Sequence, residues 1–358
     1  MPKVSIIIVN WNGLHYLKEL MDTIEGQSFR DFETIIVDNG STDGSVNWIR
    51  ENYPGVKLLP QKKNLGFCAG NNIGALAASG DYFFLLNNDT ALRPDALKEM
   101  LVVMEEKGES CFGVFPEVLF YDEPYVINAM GVVWNHECQW KDIRVGLLDF
   151  GQFKEPEQVF GSIFAAVLVR AKVFLDIGMF DEAFFSYGED FDVCYRANLM
   201  GYKFFTAPEA EVLHKYRGSS VEKKKPAYSH FIYTRNYLMA ILKNYSSQSL
   251  RKHFGQAFRR YITAGIRHFL RERNITMVWA HVRAVIEIVI LLPHIKSERK
   301  KIQYRRKVSD YELWNWSHVE GYNILHYQAT IVLSLGNLAS TFQEKREYDV
   351  NGIKYTTV

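Results

Sequence analysis

Three short runs, residues 4–9, 33–38 and 82–86, are rich in β-branched and aromatic side chains, and each ends on an amide or an acid. The polar ends are Asn10, Asp38 and the triplet Asn87-Asn88-Asp89. Runs of this length bounded by polar residues suit strands buried on both faces of a sheet. Helical stretches at about 14–24, around Val46 and Ile49, and at 71–78 alternate with them, and a short strand is expected near 56–59. Repeated strand–helix–strand order predicts an α/β fold: a mostly parallel sheet with helices on both faces. Right-handed crossovers then collect the carboxyl ends of the strands at one edge, where open α/β sheets bind ligands. Asp89 at that edge suits a cation held against a diphosphate. It equally suits a cap for the helix that residues 93–97 open.

With 358 residues, 47% hydrophobic and 23% charged, the chain can bury a full core. Aromatics at 14% fit flat ligand surfaces or a membrane interface. Cys68, Cys111, Cys138 and Cys194 are scattered without a CxxC pair and read as reduced thiols of a cytoplasmic protein. The chain enters a strand by Val4 with no charged and apolar leader before it, so no signal peptide is expected. The net charge of +1 conceals an asymmetry. Between Lys243 and Lys307, sixteen Lys and Arg face three acids, a net +13 that leaves the rest of the chain at −12. A basic appendage on an acidic body implies a polyanionic partner. Patterning is irregular from about 111 to 160. A strand over 160–169, short helices over 172–177 and up to 200, and longer helices over 230–243 and 249–271 follow. A boundary near 222 is expected to divide a domain of 1–221 from a basic helical region of 222–358.

Four further segments carry chemistry. The turn 38–44 is built of residues that favour turns and left-handed backbone. Asp38 can accept from the imide N–H of a pyrimidine, or Thr42 or Asp43 can simply cap the next helix. Gly66 and Gly70 precede a helix whose N-terminus suits phosphate or ribose, but without the lysine and spacing of a P-loop. Gly188-Glu189-Asp190-Phe191-Asp192 crowds three acids, which raises their pKa values unless a cation compensates. One of them can deprotonate a hydroxyl, or together they are an acid-rich helix start. His214 closes a strand-like 210–213 and either completes a cation site begun by Asp89 or is structural.

Taken in order, these motifs resemble the family-2-type glycosyltransferases of GT-A fold, closest to a bacterial rhamnosyltransferase-like subgroup. The likeness is carried by 4–12 with its Trp11-Asn12-Gly13, 37–43, Asn64-Leu65-Gly66-Phe67, 85–89, 178–185, 189–192 and His214. It spans roughly residues 3–220. The resemblance implies Asp89 and His214 holding Mg²⁺ or Mn²⁺ on the diphosphate, Asn88 beside the ribose and Asp38 beside the base. Asn10, Asn12 and Gly66 would complete the nucleotide pocket. Asp190 would be the base that activates the acceptor, with Glu189 orienting. Where the family has the first acid of an Asp-x-Asp element this chain has Asn87, which leaves less charge for the metal. A single base implies inversion at the anomeric carbon.

The expected donor is a UDP- or dTDP-linked hexose or deoxyhexose, rhamnose included. The expected acceptor is a polyprenyl-diphosphate-linked saccharide in cell-surface polysaccharide assembly. A sugar-nucleotide nucleotidyltransferase would show a Gly-rich basic loop where Asn10-Trp11-Asn12-Gly13 stands. The acids at 89, 189 and 190 oppose a catalytically dead saccharide- or membrane-binding module. Residues 275–292 are apolar but contain His281, Arg283 and Glu287, costly at a bilayer centre. With Trp279 and flanking basic residues the segment reads as lying in an anionic membrane interface, or as a helix packed on the catalytic domain. The expected location is therefore cytoplasmic, peripheral on the inner face of the cell membrane. No nucleic-acid reader motif is present.

Overall fold

The apolar runs form the middle of a ten-stranded sheet. The computed structural model describes residues 1–134, 140–215, 226–272, 274–316, 347–350 and 353–356. Its first elements alternate strictly: β1 (Val4–Asn10), α1 (Leu14–Glu25), β2 (Phe32–Asp38), α2 (Ser45–Asn52), β3 (Lys57–Pro60), α3 (Gly66–Ala77) and β4 (Tyr82–Asn87). There follow β5 (Thr90–Leu92), α4 (Ala96–Glu106), β6 (Cys111–Phe120), β7 (Ile127–Ala129), β8 (Val132–Trp134), β9 (Trp140–Asp142), β10 (Gln158–Val159) and β11 (Ala166–Arg170). Then come α5 (Ala171–Asp176), a single 3-10 turn (Glu182–Phe184), α6 (Glu189–Leu199) and β12 (Lys203–His214). The strand order is β10-β12-β6-β11-β4-β1-β2-β3, with β5 on β12 and β7 on β6.

Six strands, β1, β2, β3, β4, β6 and β12, run in one direction, because β11 lies antiparallel between β4 and β6. Asn10, Asp38, Asn87 and His214 therefore emerge on a single edge. Side-chain alternation divides the core. Ile6, Ile8 and Phe84 pack with Leu17, Leu20 and Met100 on one face. Ile7, Phe83 and Leu85 pack with Phe174, Phe180 and Phe191 on the other. Helices thus cover both faces, as the βαβ order requires.

Three elements depart from the sequence reading, the first being the strand expected over 160–169, which is β11 and begins only at Ala166. Residues 111–120, expected to be irregular, are a buried strand at the heart of the sheet, its apolar run interrupted by Gly113, Pro116 and Glu117. Helix α3 begins at Gly66 rather than Asn71. Cys68, Cys111 and Cys194 are free and buried, while Cys138 lies outside the described residues.

The expected boundary near 222 also falls outside the described residues. Beyond it come α7 (Pro226–Asn244), α8 (Ser247–Glu272), α9 (Ile275–Arg305) and α10 (Asp310–Trp316), then an antiparallel pair, β13 (Glu347–Val350) and β14 (Ile353–Thr356). Leu238, Met239, Ile241 and Tyr245 of this region share one buried cluster with Trp134, Phe160, Phe191 and Tyr195. The Trp134 Nε1–H donates to the Tyr245 hydroxyl at 2.9 Å. Much of the basic charge is spent internally. Lys243 is buried on Asp181 and Asp192, Arg299 donates to the Leu242 carbonyl at 2.9 Å, and Arg306 pairs with Asp310 at 2.9 Å.

Among the described residues, α9 alone is long and apolar enough to cross a membrane, with mean hydropathy 2.0 over its most apolar window. One of its faces is nevertheless packed: Met277, Ala280, Ala284, Ile288 and Ile295 are buried, and Glu287 pairs with Arg235 of α7 at 2.9 Å. The opposite stripe, Ile275, Trp279, Val282, Ile286, Val289 and Ile290, is exposed.

Candidate active site

Amides organise the sheet edge where β1 and β2 end. Asn10 is fully buried, its Nδ2 donating to Asp38 Oδ2 at 2.9 Å and Ser41 Oγ at 3.3 Å. Its Oδ1 accepts from Asn88 Nδ2 at 2.8 Å. Asp38, also fully buried, takes a second bond from the Ser41 N–H at 2.8 Å. Asn12, at φ 52°, ties the two loops together. Its N–H donates to Ser41 Oγ and its Oδ1 accepts from the Thr42 N–H, each at 2.8 Å. A Cβ on Gly13 would lie 2.2 Å from Asn88 Nδ2 and 2.6 Å from Asn10 Oδ1, so only glycine lets the two amides meet. Asn10, Asn12, Asp38 and Asn88 thus form one bonded group. Asp43 does the capping: it accepts from the N–H groups of Leu14 at 2.8 Å and Ser45 at 3.1 Å, serving α1 and α2 together.

Asp89 caps nothing. α4 starts only at Ala96, behind Asp95, and β5 intervenes. β5 pairs antiparallel with the end of β12, Thr90 opposite His214, and the Lys215 N–H donates to the Asp89 carbonyl at 2.9 Å. His214 Nε2 consequently stands 3.5 Å from Asp89 Oδ1, both side chains buried. His214 Nδ1 lies 2.9 Å from Asn128 Oδ1, an atom that can only accept, so Nδ1 donates there and Nε2 is the ring nitrogen left facing Asp89. Two such atoms fit ligands lying about 2.1 Å from one shared cation. A carboxylate with an imidazole suits a divalent ion of the Mn²⁺ type. Among the described residues no group of three or more His, Cys, Asp or Glu could hold a metal, so a cation here would need oxygens from the substrate as well.

Gly66, at φ 89°, makes the close approach its sequence suggested, and the neighbour is Phe185. An added Cβ would lie 2.6 Å from that ring and from the Phe185 carbonyl. The Gly66 N–H is taken by Asn64 Oδ1 at 2.8 Å, and the Cys68 N–H donates to the Phe185 carbonyl at 3.2 Å. The start of α3 therefore docks the loop that leads into the acids. That loop is strained, with positive φ at Phe185 (64°), Tyr187 (67°) and Gly188 (83°). It is held from α7. Asn236 Nδ2 donates to the carbonyls of Phe184 (3.0 Å), Ser186 (2.9 Å) and Tyr187 (2.5 Å). Arg235 Nη2 donates to those of Ala183 (3.1 Å) and Phe184 (3.0 Å).

The three acids part company here. Asp192 is structural, bound by Arg196 at 2.9 Å, Lys243 at 3.2 Å and Asn244 at 2.8 Å. Glu189 and Asp190 open α6 with no such compensation. Burial pushes the Asp190 carboxyl up to about 7, the Phe191 N–H bond at 2.7 Å opposing and the Asp142 charge adding. Burial, then the Asp190 charge, pushes Glu189 well above the usual carboxylate range, and its Oε2 is buried without a hydrogen bond. One acid of the pair therefore keeps its proton while the other ionises near neutrality. Asn128, Arg235 and Asn236 were not singled out in the sequence: Asn128 lies in the stretch read as irregular, and Arg235 and Asn236 lie within a helix read only for its helicity.

This architecture is the GT-A fold. The solved structure of GalNAc-T7 with UDP, GalNAc and Mn²⁺ aligns over 73% of this chain and 51% of its own, at a TM-score of 0.56 and 18% identity. Residues 5–177 match the family model Glycosyl transferase family 2, so the chain carries a family 2 glycosyltransferase domain. An uncharacterized glycosyltransferase of Haemophilus influenzae is 23% identical over 236 residues, 64% of this chain and 69% of that protein. The N-acetylglucosaminyl-diphospho-decaprenol L-rhamnosyltransferase of Mycobacterium tuberculosis is 25% identical over 242 residues, 59% of this chain and 75% of that protein.

Proposed function

We propose that this protein is an inverting glycosyltransferase that moves a hexosyl or deoxyhexosyl group, rhamnosyl foremost, from a UDP- or dTDP-sugar to a hydroxyl of a polyprenyl-diphosphate-linked saccharide. The observation that carries this is the acid pair: two carboxyls without a basic partner among the described residues, Glu189 buried and Asp190 half-buried, at the start of α6 behind a loop clamped against α3. Asp38, Asn10, Asn12, Asn88 and the Gly66 turn form the nucleotide pocket. Asp89 and His214 hold a divalent cation, Mg²⁺ or Mn²⁺, which when bound offsets the charge growing on the departing diphosphate. Asp190 takes the proton of the acceptor hydroxyl as its oxygen bonds to the anomeric carbon and the diphosphate leaves from the opposite face. Glu189 stays protonated beside it and orients the site. Asp190→Asn should abolish transfer while thermal stabilisation by UDP or dTDP survives; retained transfer would sink the assignment of the base.

Besides the exposed apolar stripe of α9, Ile266 and Leu270 of α8 are exposed, and Arg259, Arg260 and Arg267 of α8 line an open concavity with Gln256 and Thr263. Each basic residue near anionic headgroups is worth about 1 kcal/mol. This face rests on the cytoplasmic leaflet in our reading and brings the enzyme to a lipid-linked acceptor.

A further inference from the structure

We infer that the acceptor saccharide is received by a row of four tyrosines, Tyr187, Tyr233, Tyr237 and Tyr261, with Asp142 and Asp190 near them; this rests on the transferase reading above. The row is drawn from three elements. Tyr187 lies on the clamped loop, Tyr233 and Tyr237 one turn apart on α7, and Tyr261 on α8. Ring centroids follow one another at 4.8 Å (Tyr187 to Tyr233), 6.3 Å (Tyr233 to Tyr237) and 5.8 Å (Tyr237 to Tyr261), the last two pairs nearly parallel at 25° and 16°. Tyr237 also stacks on Phe191 at 5.7 Å and 22°, so the row starts one residue from the base.

Exposure separates this row from the aromatic core. Trp134, Phe160, Phe191 and Tyr195 are fully buried, whereas all four tyrosines are only half-buried. The polar ends share one environment, since Asp190, Tyr261, Tyr233 and Asp142 all act electrostatically on the Tyr237 hydroxyl. Burial first, and these groups next, keep that hydroxyl protonated and able to donate. Asp142 is carried by β9, whose Trp140 meets Phe191 edge-on at 5.7 Å and 83°.

A pyranose has both apolar C–H faces and a rim of hydroxyls. Fixed aromatic rings with phenol and carboxylate groups at one end match that chemistry, and tyrosine contributes area at small entropic cost. Asp142 acts as a positioning residue: by accepting from one acceptor hydroxyl it presents the neighbouring one to Asp190.

The test reads binding without turnover. Saturation-transfer NMR with the methyl glycosides of N-acetylglucosamine, glucose, galactose and rhamnose, UDP present, should show contact with the wild-type protein. Tyr233→Leu and Tyr261→Leu should weaken that contact at least tenfold, with the UDP and dTDP thermal shifts retained. Tyr233→Phe and Asp142→Asn, which keep shape if the leucine variants fold poorly, should weaken it severalfold. With a competent donor and acceptor, the acceptor KM rises and the donor KM holds. No glycoside contact in the wild type, or wild-type contact in the variants, overturns the inference. The transferase reading fails separately, by absence of any nucleotide-dependent shift or transfer.

Discussion

Asn236 holds the loop ahead of Asp190, the proposed base, and its replacement separates positioning from folding. Asn236→Leu keeps the volume and removes the amide. The Phe184 carbonyl retains a donor in Arg235, but those of Ser186 and Tyr187 lose theirs. A buried carbonyl left unpaired costs about 1–3 kcal/mol. Both residues are half-buried and water recovers part of that, so the loss should be about 2–4 kcal/mol. For a chain of this length that lowers the melting temperature by about 3–5 °C. The larger effect falls on kcat. Phe185 and Tyr187 sit at positive φ, each costing about 1–2 kcal/mol, and without the clamp the loop relaxes toward ordinary backbone. Displacing a catalytic group by about 1 Å costs about 10²-fold in rate. Steady-state kinetics with a nucleotide-sugar donor, together with melting in the presence of UDP, should show kcat down about a hundredfold and nucleotide stabilisation unchanged. A lowered melting temperature with normal kcat would refute the reasoning, because the clamp would then hold only the fold.

The pH profile of kcat should have an ascending limb near 7. Asp190 is protonated and idle below that value and ionised above it, and Asp142→Asn, by removing a nearby charge, should move the limb to lower pH. Asn128→Leu frees His214 to adopt the other tautomer, so Mn²⁺ affinity measured by titration in the presence of UDP should fall about 10-fold or more; unchanged affinity would remove Asn128 from the cation site. Trp279→Glu with Ile290→Glu should abolish co-sedimentation with vesicles containing phosphatidylglycerol while leaving the melting temperature within about 2 °C, since both side chains are exposed. Retained vesicle binding would assign membrane attachment to some other surface.

The sheet edge that carries Asn10, Asp38 and Asp89 was legible in the sequence because parallel strands buried on both faces leave continuous apolar runs, and the residues ending those runs stand out. The acids at 189–192 were legible as a group but not as individuals. Only the contacts of Lys243, Arg196 and Asn244 show that Asp192 serves the core while its neighbours do not. β6 escaped notice because Gly113, Pro116 and Glu117 break its apolar pattern. β5 is only three residues long, so nothing in the local pattern showed that it separates Asp89 from α4 and brings His214 alongside. Asn128, Arg235 and Asn236 act through partners 49 or more residues away in the chain, and local periodicity carries no trace of such contacts. The basic segment was counted correctly and read too simply, for Lys243 and Arg306 answer carboxylates of the protein itself.

The ion pair between Glu287 of α9 and Arg235 of α7 closes a mechanical chain, because Arg235 also grips the loop ahead of the acids. The helix whose outer stripe is apolar is thereby two side chains from the catalytic turn. A protein cut off before α9 would keep the whole segment that matches the family model, 5–177, yet lose the strut behind its base. Exchanging these helices between relatives would accordingly alter turnover as well as attachment, so the working unit of this transferase reaches at least to the end of α9.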